Sequence, residues 1–99
     1  MAEGTLTEPA YVARLTEALH RELPTASIAH EPVRRDRYRF IVVDNAFTDV
    51  GHPERQLKVW RIAEDVVEKT DIWNVAMIIT MAPSELADDE QHLGSTGHQ

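Results

Sequence analysis

Seven basic side chains fall between Arg34 and Arg61: Arg34, Arg35, Arg37, Arg39, Arg55, Lys58 and Arg61. The same stretch holds four acidic ones, Asp36, Asp44, Asp49 and Glu54, so it carries +3 in a chain whose formal charge is −7. Guanidinium and ammonium groups at this density can hold an anion, whether phosphate, a nucleic-acid backbone or the acidic side chains of another protein. Arg34, Arg35 and Arg37, on a turn between two strands, and Arg55 and Lys58, at the start of a helix, are the candidate partner- or anion-binding residues. The acidity of the whole chain disfavours nucleic acid, for which the plain reading of a solvated turn and a charge-matched helix face is preferred.

Other chemistry finds little to build on. The histidines, His20, His30, His52, His92 and His98, form no i,i+4 pair, and the lone Glu17-x-x-His20 string has no second such string to complete a ligand set, so no metal site is assigned. Ser27 and Ser84 lack the glycine context of a nucleophile elbow, and glycines at positions 4, 51, 94 and 97 form no phosphate-cradling loop. With no cysteine there is no disulfide, no thiol nucleophile and no thiolate ligand. No catalytic residue and no cofactor is assigned, and the expectation is a binding protein, not an enzyme. Trp60, Trp73, Met77 and Met81 sit within apolar stripes and are expected in the core or at its edge.

The elements that position these residues follow from hydrophobic period. Thr5 and Thr7 before Glu8 and Pro9 read as a capped helix start, and Val12, Leu15, Leu19 and Leu23 recur at helical spacing until Pro24. Residues 26–33 form a weak strand, blunted as an edge by Pro32. Arg34 to Arg37 connect it to a strong strand from Tyr38 to Val43, where aromatic and β-branched residues alternate. A loop from Asp44 to Pro53 leads into a second helix with Val59, Trp60, Ala63, Val66 and Val67 on one stripe, ending near Thr70 and Asp71. Glu54–Lys58 and Arg61–Asp65 have ion-pair spacing on its other side. Trp73 to Met81 is a last strand, apolar enough to be buried on both faces.

The fold class is therefore α+β in the order α-β-β-α-β, a three-stranded mixed sheet with two helices on one face. Residues 6–86 are expected to form the single domain, with 1–5 a flexible N-terminus and 87–99 a disordered acidic and polar tail.

The stretch from Tyr38 to Leu86 resembles the BolA-like family, whose fold is of the type II KH-like kind. A hydrophobic strand leads through a polar step to Phe47; Arg55 follows eight residues later at a helix start, with Val59 as the branched apolar residue after it. From Trp73 onward the last strand runs without a gap into Ala82-Pro83-Ser84-Glu85-Leu86, similar to the family's Thr-Pro-Glu step. The resemblance implies a non-enzymatic adaptor or regulatory protein with a protein partner, of which a monothiol glutaredoxin is the family's example. It also exposes two departures. The family's arginine is followed by histidine, where this chain has Gln56, and the histidine that ligates a shared [2Fe–2S] cluster is replaced by Asn74. An amide is a poor ligand for iron, so cluster sharing in the usual manner is not expected.

Two further readings stand beside the adaptor: a KH-like nucleic-acid binder using the band from Arg34 to Arg61, although the one Gly-x-x-Gly string, Gly94 to Gly97, falls in the expected tail and not within the domain, and a small enzyme or enzyme subunit whose site the fold assembles. No leader or membrane-spanning run is visible, so a cytoplasmic location is expected, as a monomer or weak dimer.

Overall fold

A computed structural model of the chain describes residues 8–85. The expected tails at 1–5 and 87–99, the cap candidates Thr5 and Thr7, and His92 and His98 lie outside the described residues. Helix α1 (Ala10–Glu22) leads to strands β1 (Ser27–Pro32) and β2 (Tyr38–Val43). A 3-10 turn (Asn45–Phe47), helix α2 (His52–Val66), a short helix α3 (Lys69–Ile72) and strand β3 (Val75–Met81) follow. The sheet order is β1-β2-β3, with β1 antiparallel and β3 parallel to β2. The mixed α+β sheet is the one the sequence predicts.

Alternation along β2 builds the core. Tyr38, Phe40 and Val42 are buried under the helices, while Arg39, Ile41 and Val43 are half-buried on the other face. From α1 come Tyr11, Val12, Leu15, Ala18 and Leu19, from α2 Val59 and Ala63, and from β3 Val75 and Ile78. Each fully buried Leu, Val or Phe stabilises the fold by about 1.5–3 kcal/mol.

Several boundaries differ from expectation. Pro9 itself occupies the cap of α1, no side chain caps it, and Glu8 Oε2 instead lies 2.7 Å from His30 Nε2. Helix α2 stops at Val66, not near Asp71, because Val67 turns to an extended conformation that buries its side chain to 5 % exposure. The spaced pairs Glu54–Lys58 and Arg61–Asp65 form no ion pairs among the described residues. β3 is not buried on both faces. It pairs with β2 alone, Met77 is 46 % exposed, and Ile79 and Met81 are half-buried outside the core cluster. The long apolar run arises because β2 and β3 both carry apolar side chains on the face away from the helices.

Trp73 departs furthest. It ends α3 before the strand begins and is 80 % exposed, while Trp60 is half-buried against the core. One residue, Asn74, separates the exposed indole from the first buried position of β3, Val75, so a turn and not the strand decides its direction.

Candidate functional site

The arginine turn is held without glycine. Val33 N–H donates to Arg37 O at 2.8 Å and Arg37 N–H to Arg34 O at 3.2 Å, and no described residue has positive φ. Arg34, Arg35 and Arg37 are exposed, and none forms an ion pair among the described residues. Tyr11, 1 % exposed, ties this turn to β3: its hydroxyl lies 2.8 Å from Asp36 O and 2.9 Å from Asn74 O. Burial pushes the Tyr11 phenol up to about 12.

The opposite end of the sheet is organised by Arg55, which is 3 % exposed. Its Nε donates to Val50 O at 2.7 Å and its Nη2 to Phe47 O at 2.7 Å, and the guanidinium lies 5.6 Å from the Phe47 ring centre. The same fork donates twice to Glu85, at 2.7 and 2.8 Å, and Glu85 Oε1 also accepts from Ala82 N–H at 2.9 Å. Bidentate pairing with Arg55, then the Ala82 amide, holds the Glu85 carboxyl down at about 2, and the carboxylate raises the Arg55 pKa in turn. Asp44, 2 % exposed, accepts from Thr25 Oγ1 at 2.8 Å and from Ala46 N–H at 3.4 Å, which secures the start of the same loop.

The basic band is thus divided by the fold. The arginine turn precedes β2 and the Arg55 loop follows it, so the six residues of β2 hold them about 20 Å apart. Arg55, expected at a partner surface, has every nitrogen of its fork engaged within the chain, where it positions the loop. Lys58 is exposed on yet another face, in a groove of about 520 Å³ between α1 and α2 that also contains Arg21 and Arg61.

Gln56 and Asn74 stand apart as well. Gln56 Nε2 donates to Ile78 O at 2.8 Å and lies 3.4 Å from Thr80 Oγ1, while its Oε1 accepts from Trp60 Nε1 at 3.1 Å. Asn74 meets Tyr38 N–H and Tyr11 through its backbone carbonyl, and its N–H donates to Asp71 O at 2.8 Å. Ile78 is four residues along β3 from Asn74, about 13 Å. His30 lies on β1, paired with Glu8 and tilted against Tyr38 and Phe40. The three residues do not converge, and no metal-holding cluster of three His, Cys, Asp or Glu occurs among the described residues.

What does converge was not visible in the chain order. Arg37, Trp60, Glu64, Ile72, Trp73 and Val75 line a groove of about 280 Å³ at the arginine-turn end of the sheet. An exposed indole beside a guanidinium that forms no ion pair among the described residues is the composition that dominates protein-binding surfaces. The sequence signal for it was modest, namely the polar Lys69-Thr70-Asp71 turn and Asn74 flanking Trp73.

No family model matches the chain, and no curated protein matches it by sequence. Among solved structures it is similar to BolA1 from Arabidopsis thaliana, with a TM-score of 0.60 at 20 % identity, covering 76 % of this chain and 94 % of that one. The chain has a BolA-like fold. No helix among the described residues is long and apolar enough to cross a membrane.

Proposed function

We propose that this chain is a non-enzymatic BolA-like adaptor that binds a protein partner through the arginine-turn end of its sheet. The observation that carries the reading is Trp73, 80 % exposed in a groove shared with Arg37. Arg34, Arg35 and Arg37 meet acidic groups of the partner, Trp73 and Trp60 supply apolar contact, and Tyr11 anchors the turn from beneath. The Arg55–Glu85 clamp keeps the far loop rigid, and Lys58 lies outside the contact. A monothiol glutaredoxin is the partner that the family resemblance offers, engaged without a shared cluster because Asn74 stands at the ligand position. Such an adaptor works in the cytoplasm and is monomeric until its partner arrives.

The test is an NMR titration of the labelled chain with a monothiol glutaredoxin free of cluster. Expected are shift changes at 33–37 and 72–75, abolished by Trp73→Ala and by charge reversal of Arg34, Arg35 and Arg37. Shift changes confined to the Lys58 groove or the Arg55 loop would overturn the site. Tighter, steeply salt-dependent binding of a DNA or RNA oligonucleotide at the same residues would replace it with the nucleic-acid reading.

A further inference from the structure

Among the described residues β3 is the last strand of the sheet, and one of its edges has no neighbouring strand there. Peptide groups alternate between the two edges of a strand. Met81 O accepts from Asp44 N–H on the β2 side, which turns the peptide groups of Thr80 and Ile78 outward. Gln56 Nε2 donating to Ile78 O agrees with that direction. Among the described residues nothing else pairs with the outward N–H groups of Ile78 and Thr80 or with Thr80 O.

An edge without a neighbouring strand is a template for another strand, and folded proteins usually cover or charge it. Here Ile78 and Thr80 are only 2 % and 3 % exposed, and the side chain that hydrogen-bonds to the edge is Gln56. The Gln56 amide is chemically a peptide group, and its N–H occupies the place on Ile78 O that an added strand's backbone N–H would take. His52, Gln56 and Trp60, one turn apart on α2, stand along the edge and enclose with it a groove of about 430 Å³. Trp60 also lines the smaller groove of Arg37 and Trp73, so the two grooves share that indole as a wall. They are apolar at Trp60, Met77 and Trp73, and the smaller one is lined by Arg37, which forms no ion pair among the described residues.

We propose that an extended peptide segment of the partner, apolar at alternate positions and acidic at one end, adds to β3 as a fourth strand and displaces the Gln56 amide from Ile78 O. The inference rests on the adaptor reading above and specifies its partner. Only an extended backbone presents donors and acceptors at strand spacing to Ile78 and Thr80, and the charge of the arginine turn selects the acidic end. In this mode backbone bonds supply affinity, while the pockets at Trp60 and Trp73 select side chains.

The probes are synthetic peptides of alternating Val and Thr with a run of Glu at either the N- or the C-terminus. One orientation is expected to bind, slowing amide exchange at Ile78 and Thr80. Gln56→Met, which keeps the length and loses the competing donor, is expected to bind about fivefold tighter, the worth of one hydrogen bond. Backbone N-methylation at alternate residues, or Lys in place of Glu, is expected to weaken binding at least ~tenfold. The proposal falls if neither orientation binds the wild type or Gln56→Met, or if binding leaves Ile78 and Thr80 exchange unchanged. It also falls if Gln56→Met binds no tighter, or if that variant alone sediments as a dimer, which would assign the edge to a second copy. Glutaredoxin bound through Trp73 with β3 exchange unaltered would overturn this inference while leaving the adaptor reading in place.

Discussion

Replacing Arg55 with methionine keeps most of the apolar volume of the side chain and removes all of its donors. The structure allows the cost to be worked out. Val50 O and Phe47 O each lose a 2.7 Å bond from a group that is 3 % exposed; Phe47 O keeps the Val50 N–H at 3.1 Å, while Val50 O has no other side-chain donor among the described residues. An orphaned buried carbonyl costs about 1–3 kcal/mol. Glu85 loses its bidentate partner too, but its side chain is 39 % exposed and can rehydrate, so it adds less than a buried carboxylate would. The orphaned Val50 carbonyl and the lost bond to Phe47 O together place the loss at about 2–4 kcal/mol. A domain of this size has about 5–10 kcal/mol in total, so the midpoint of thermal unfolding should fall by ~10–30 °C. Urea unfolding followed by far-ultraviolet circular dichroism measures the change directly. Arg55→Lys should recover only part of it, because one ammonium cannot reach both carbonyls and grip the carboxylate as a fork. If Arg55→Met stays within about 1 kcal/mol of the wild type, the clamp does not hold the fold and the reasoning fails.

Three other outcomes can be checked with the same purified protein. Because the folded Glu85 pKa lies at about 2, below its unfolded value, its contribution is present above about pH 4.5 and is lost as pH falls towards 2. Acid titration of stability should show that loss, and Glu85→Gln should flatten it. Tyr11 has the opposite sign: with its folded pKa raised from 10 to about 12, its contribution is present below pH 10 and lost between pH 10 and 12, a loss that Tyr11→Phe should lack. Trp73→Ala should leave stability within about 0.5 kcal/mol of the wild type, since the ring is 80 % exposed, and a larger drop in urea midpoint would contradict its reading as a binding residue.

Much of the architecture was legible in the chain. The alternation of Tyr38, Phe40 and Val42 located β2 at its observed ends, and Val12, Leu15 and Leu19 located the buried stripe of α1. Pro32 marked β1 as an edge, as the sheet order shows. These signals are local: a period of 2 or 3.6 and the backbone limits of proline act within a few residues. Helix ends were less legible, because Val67 leaves α2 to enter a core built mostly from other segments.

Placement of the basic residues was a different matter. Residue types alone determined that Arg34, Arg35, Arg37, Arg55 and Lys58 are cationic. Only the tertiary structure decided which of those cations are free. Arg55 is engaged because Glu85, 30 residues away in sequence, folds back onto it, and Lys58 is turned towards α1 by the pitch of α2. Gln56 covers the β3 edge for the same reason, since its partner Ile78 lies 22 residues further on. Hydrophobic period specifies which face of an element is buried, but it carries no information about which charged side chains from distant segments meet at its ends.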